Sequence, residues 1–260
     1  MSRISSQGSV IMISDDTAPT PIDIVSATKA KPCVITVAAG TSPVKGDIIV
    51  PRNTGWNSIE AMPFKVSAVA AGAITLEDSD TSRETADINT TGTPAATIEV
   101  PTFVELCRSN FTANQPAGAT IDVTTLCDIA HRIVPGLPAI STWNAAGFYD
   151  CNDIALERAR DVYRSGEKVV IDVRLPDGCG FTFMGIVNTF DVTLGINAAV
   201  ANTLGGQIDG RISFYKTPAP GFVPLMMMAA QPAMRPGTDP IPPVQPTVAP
   251  PPPEGTGATA

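Results

Sequence analysis

Along residues 168–175, Lys-Val-Val-Ile-Asp-Val-Arg-Leu, apolar side chains recur at every second position, which puts Val169, Ile171, Val173 and Leu175 on one face of a predicted strand. Pro176-Asp-Gly178 supplies a turn. The chain then returns through Phe181-Thr-Phe-Met-Gly-Ile-Val187, with Phe181, Phe183 and Val187 on a common face. A further strand over 207–215 alternates Ile208, Ile212 and Phe214 with Gln207, Asp209, Arg211 and Ser213. Such alternation suits an antiparallel sheet wetted on one side.

The period changes to that of a helix over 153–164. Asn152 or Asp153 can cap it, Ile154, Ala155, Leu156, Ala159, Val162 and Tyr163 form one broad apolar face, and Gly166 ends it. Glu157, Arg158, Arg160, Asp161 and Arg164 are expected on the solvated side.

Residues 24–100 predict a small all-β unit. Val34–Val37, Asp47–Val50, Phe64–Val69 and Ala73–Leu76 are short β-branched runs, punctuated by Gly40, Ser42-Pro43, Lys45-Gly46, Asn53-Thr-Gly55 and Gly72. Ser79 to Pro94 is polar and reads as a long loop. The expected organisation is a discontinuous domain over 1–23 and 101–220, an inserted β domain over 24–100, and a tail over 221–260. That tail carries ten prolines in 232–253, a composition that favours extended, coreless chain.

Composition narrows the function classes. With 43% hydrophobic and 16% charged residues, 260 residues can bury one large or two modest cores. The net charge of −8 is spread along the chain without a basic block, which disfavours tight nucleic-acid binding. Five cysteines at wide spacing (33, 107, 127, 151, 179) predict reduced, mostly buried thiols. Apolar runs are short or broken by proline, so a soluble, unexported protein without a membrane span is expected.

Catalytic patterns are missing from the sequence. His131 is the only histidine, and no Gly-x-Ser-x-Gly elbow accompanies it. Asp78-Ser-Asp80-Thr-Ser82 begins like a calcium loop, but Arg83 stands where glycine is needed and Asn89 where a bidentate Glu is needed. Gly178-x-Gly180 and Gly205-Gly206 read as turn and bulge glycines. No cofactor is implied, and a protein working through its surfaces is expected.

Residues 99–216 resemble the tail tube proteins of long-tailed (siphovirus) bacteriophages. The matching pieces come in order: Phe103–Asn110, Thr120–Cys127, Arg132–Leu137, Ala139–Tyr149, the helix, Val173–Gly178 with Phe181–Gly185, and Gly205–Phe214. Ser6–Ile13 is similar to that family's first strand. The resemblance implies a mainly β (α+β) fold: an antiparallel β-sandwich or half-barrel with one flanking α-helix.

It also implies six copies in a ring, with rings stacked into a hollow tube around a tape-measure protein and closed off by tail terminator and distal tail proteins. DNA would pass without tight binding. The place would be the virion tail, assembled in the host bacterial cytoplasm. By analogy the loop from Thr124 to Thr142, with Leu126, Ile129, Ile133, Pro135 and Leu137, reaches the next ring. The polar positions Asp172, Arg174, Gln207, Asp209 and Arg211 are expected to face the lumen, where spread acidity would repel phosphate. The alternatives are a surface-binding or adhesion module of β-sandwich type, which exposed aromatics would favour, and a hydrolase using an unrecognised acid pair.

Overall fold

The computed structural model of the protein describes residues 8–38, 40, 43–124, 130, 132–196 and 198–217. Strand β1 (Val10–Ser14) opens the chain. An inserted unit follows: β2 (Ile22–Ala27), β3 (Val34–Val37), β4 (Ile48–Arg52), β5 (Phe64–Ala70), β6 (Ala73–Leu76) and β7 (Thr97–Glu99). They close into a barrel in the order β2-β3-β6-β5-β4-β7, every pair antiparallel. Closure leaves no free sheet edge.

Ile35, Ile49, Trp56, Phe64, Ile74, Leu76 and Ile98 fill the barrel. The four expected strands are present. The two strands that close the barrel, β2 and β7, are not marked by any uninterrupted apolar run.

The segment from Ser79 onward lacks regular structure, as its polarity predicts, yet it is not a solvated loop throughout. Ser79 and Thr81 are buried. Ser79 Oγ accepts from Cys33 N at 2.8 Å, and Thr81 Oγ1 donates to Thr28 O at 2.7 Å. Trp56 Nε1 donates to Ala86 O at 2.9 Å. Side-chain hydroxyls here do for the backbone what a ladder does elsewhere.

The remaining elements are β8 (Phe103–Glu105), β9 (Asn110–Asn114), β10 (Gly118–Asp122), β11 (Ile133–Pro138), β12 (Thr142–Phe148), α1 (Ile154–Ser165), β13 (Lys168–Arg174), β14 (Gly180–Thr193) and β15 (Ala201–Tyr215). Seven strands form one antiparallel sheet, β8-β1-β13-β14-β15-β12-β9. The fold is therefore mainly β with one helix among the described residues.

β14 and β15 are much longer than their apolar patterns predict, and two register shifts bend them. One lies between Thr182 and Met184, opposite Gly210 in a left-handed conformation (φ 80°); the other lies between Val187 and Thr189. Bulges of this kind bend and twist a strand. The curled sheet wraps Ile13, Trp143, Ala145, Ile171, Phe183, Leu204 and Ile212 into a second core.

Helix α1 lies against β14 and covers one side of that core. Asp153 caps it, accepting from Ala155 N at 2.9 Å and Leu156 N at 3.3 Å, and Gly166 ends it at φ 70°. Its buried face is narrower than predicted. Ala155, Leu156, Ala159 and Val162 are buried, whereas Ile154 and Tyr163 are exposed. Arg158, expected in solvent, folds down to reach Ser14 O at 3.3 Å, Asp16 at 3.1 Å and Glu167 at 3.3 Å.

Candidate functional site

The barrel docks on the outer face of the sheet, away from α1. Ile48 and Val50 of β4 meet Val170 of β13 and Met184 of β14 in a small third core. Beneath the contact, Asp172 of β13 is wholly buried. It accepts from Tyr215 Oη at 2.7 Å and from Arg174 Nε at 2.6 Å. Lys65 of β5 is equally buried, with Nζ 4.0 Å from Asp172 Oδ2 and 4.6 Å from the Tyr215 ring centre. Burial lowers the Lys65 pKa to about 8, against the pull of Asp172. Arg211 donates to Asp78 O and lies over Phe64, and Phe214 N donates to Asp78 Oδ2 at 3.1 Å.

Three residues of the expected lumen set lie at this junction. Asp172, with Arg174 as one of its donors, and Arg211, bonded to Asp78 O, lie at the contact between sheet and barrel. Ser213 is also buried, while Phe214, expected inside, is 56% exposed, its ring centre 5.9 Å from that of Phe181. Gln207 is exposed, and Asp209 pairs with Lys168 at 2.6 Å.

Past the second bulge no other described element pairs over the outer face. Register aligns Thr112, Asn144, Gly205 and Thr189 across four strands, with Ala146, Thr203 and Asp191 in the next row. Neighbouring rows add Asn114, Thr142 and Gln207. Amides and hydroxyls dominate these rows, with Ala146 among them and the exposed Phe148 at the far end of β12. Its acids are Asp191 and the ion-paired Asp209.

Among the described residues, β10 and β11 pair only with each other. The segment expected as a loop from Thr124 to Thr142 thus contains a strand at 133–138. Ile133 is 63% exposed, and Ile121, Val123 and Val134 are exposed beside it. Thr124 sits at the hairpin mouth, its backbone N–H donating to Asp122 Oδ1 at 2.8 Å. Pro135 and Leu137 belong to β11, whereas Leu126, Ile129, His131 and the proline-rich tail lie outside the described residues.

Other candidate chemistry is dispersed. Among the described residues no three His, Cys, Asp or Glu side chains gather as metal ligands. Cys33 is buried, but Cys107 and Cys151 are exposed, contrary to the expectation of mostly buried thiols. Trp56 and Trp143 are core residues rather than exposed aromatics. No described helix is long and apolar enough to cross a membrane.

No protein-family profile matches the chain, and no curated protein does. Solved structures similar to it include a chain of the virion of a native gene transfer agent particle, with 21% identity and a TM-score of 0.38. That match covers 44% of this chain and 88% of the other. A chain of the tail of an empty gene transfer agent particle with C6 symmetry has 23% identity and a TM-score of 0.34, covering 41% and 78%. The SPP1 tail tube has 10% identity and a TM-score of 0.38, covering 43% and 66%.

Proposed function

We propose that the chain is a non-enzymatic structural subunit of a phage tail tube. Copies assemble into six-membered rings that stack as a hollow conduit around a tape-measure protein and later pass DNA. The observation that carries this reading is the seven-stranded sheet, open along β9 and bare on one amide-and-hydroxyl face. An unpaired edge is a liability in a monomer and an asset in a ring, where neighbours cover it.

The bare face supplies the channel wall, with Thr112, Asn144, Thr203, Gln207 and Asp191 toward the lumen. Phosphate binding needs unpaired Lys or Arg, and the one lysine there, Lys168, is tied to Asp209. DNA therefore slides over neutral polar groups. The hairpin β10–β11, with Thr124, Ile133, Pro135 and Leu137, reaches a neighbouring copy, as the sequence resemblance implies. Tail terminator and distal tail proteins cap the ends, in a virion tail built in the host cytoplasm.

Negative-stain microscopy of the purified chain tests the reading. Tubes or six-fold rings are the expected result. Monodisperse monomers at every concentration and salt, together with turnover or tight ligand uptake, would overturn it.

A further inference from the structure

The curled sheet closes only part way. A cleft of about 260 Å³ opens into the second core, lined from β9, β1, β13 and β14 by Ile11, Phe111, Val173, Leu175 and Phe181. Phe111 and Phe181 face each other across 6.1 Å, and Phe111 stacks on Trp143 at 6.3 Å. Open apolar floors of this kind mark contact sites.

The cleft's polar lining is unfinished. Arg108 Nη1 donates to Phe148 O at 3.2 Å, and the side chain fits because position 147 is glycine, where a Cβ would lie 2.9 Å from Arg108 Cδ. Its Nε and Nη2, however, are buried without an acceptor, as is Ser9 Oγ. Desolvation pushes the Arg108 pKa down, so the group is held at a cost that an arriving acceptor would relieve. β9 ends the sheet beside the cleft, and its outer N–H and C=O groups have no strand partner among the described residues.

One segment of the same chain has the complementary needs. The β10–β11 hairpin presents Ile121, Ile133 and Val134 to solvent, and neither of its strands pairs with a third described strand. A lone two-stranded hairpin is marginal in water, so it requires a surface. Its outer carbonyls can accept from Arg108 and Ser9, its edge can add to β9, and its isoleucines can cover the aromatic floor. The hairpin leaves the sheet at Asn114, about 13 Å along β9 from Asn110, where the cleft lies.

Building on the tail tube reading, we infer that this cleft receives the β10–β11 hairpin of a second copy, head to tail. Each subunit then donates one hairpin and accepts another. Such a contact does not close on itself in a pair and propagates from copy to copy.

Disulfide trapping tests this in the full chain. Ser109→Cys at the cleft and Val134→Cys on the hairpin are combined in a background where Cys107, Cys127, Cys151 and Cys179 are serine. Assembly is scored by microscopy before oxidation. The expected result is tubes whose oxidation yields a ladder of multiples of 27.0 kDa on non-reducing gels, lost in either single-cysteine variant. Tubes that oxidise without a ladder, or with only a faster-migrating internally linked monomer, overturn the cleft assignment and leave the tail tube reading standing. Absence of tubes in this variant and in the parent chain overturns both.

Discussion

Lys65 of the barrel and Asp172 of the sheet stand 4.0 Å apart with neither side chain exposed, and no atom of the described residues accepts a hydrogen bond from the Lys65 ammonium. Asp172 already has its donors in Tyr215 and Arg174. The lysine is therefore the uncompensated member of the junction, and burial outweighs the attraction of Asp172, Asp47 and Glu77.

The Lys65 contribution to stability should rise as pH is raised through the window from about 8 to 10.5. In that range the unfolded lysine keeps its proton while the folded one, with a pKa of about 8, has lost it. Tyr215 acts oppositely. Burial beside Asp172 pushes its pKa up from 10.0, so above pH 10 unfolding releases protons and stability falls. Cys33 and Cys179, whose thiol pKa values burial pushes up from 9.0, act as Tyr215 does from pH 9 upward, so urea midpoints between pH 6 and 11 should rise above pH 8 to a crest near pH 9; a monotonic decline from pH 7 would contradict the buried cation.

Lys65→Met should raise stability at pH 7 and abolish the rise above pH 8. Removing a buried charge without hydrogen bonds while keeping the stem's volume gains about 1–3 kcal/mol. Calorimetry of the two proteins at pH 7 and pH 9.5 measures this. A lower Tm for the variant at pH 7 would mean that Asp172 stabilises the cation more than desolvation costs.

Excising the hairpin should leave the monomer folded and stop assembly. Asn114 and Thr142 are direct cross-strand partners, so replacing 115–141 by Asn-Gly joins β9 to β12 through a two-residue turn. Circular dichroism and Tm should stay close to those of the parent, with no tubes by microscopy. Tubes of normal length would remove the hairpin from the assembly contact.

Gly206→Ala should be among the most damaging single changes. A Cβ there would run into the Ile186 carbonyl oxygen, where β15 packs tightly on β14 just past the bulge. Overpacking against backbone costs at least about 1–3 kcal/mol, and here neither strand can move without breaking the ladder. Loss of soluble protein, or a Tm lower by several degrees, is expected.

Asp153→Ala tests a smaller term. Two backbone N–H groups of α1 lose their acceptor, a loss of about 1 kcal/mol or roughly 2–4 °C in Tm. Asp153→Asn should recover most of it. An unchanged Tm for the alanine variant would show that packing alone holds the helix start.

Local patterns in the sequence located α1, its cap and stop, and most of the strands, because each depends on neighbours a few residues away. They failed where a second layer decides. The polar face of β13 and β15 reads as wet, yet half of it lies under the barrel, which no alternation can reveal. Ser79 and Thr81 read as loop residues because only folding shows the unpaired carbonyls they serve. The extra length of β14 lies in Asn188 to Thr193, where only Phe190 and Val192 alternate with polar residues beyond the bulge. The hairpin 118–138 was obscured by Pro135, Gly136 and Pro138, residues that normally argue against a strand but are tolerated where the ladder has only one neighbour.

Ser14 and Phe103 stand opposite each other in the β1–β8 pairing. The whole barrel thus hangs from the point where a short turn would otherwise join two adjacent strands, and no strand of the larger sheet is lengthened to carry it. A module attached in this manner can be exchanged for another of different size or affinity while the sheet keeps its register. The position is a ready fastening point for displaying a foreign domain at regular intervals, provided the substitute also shelters the carboxylate of Asp172.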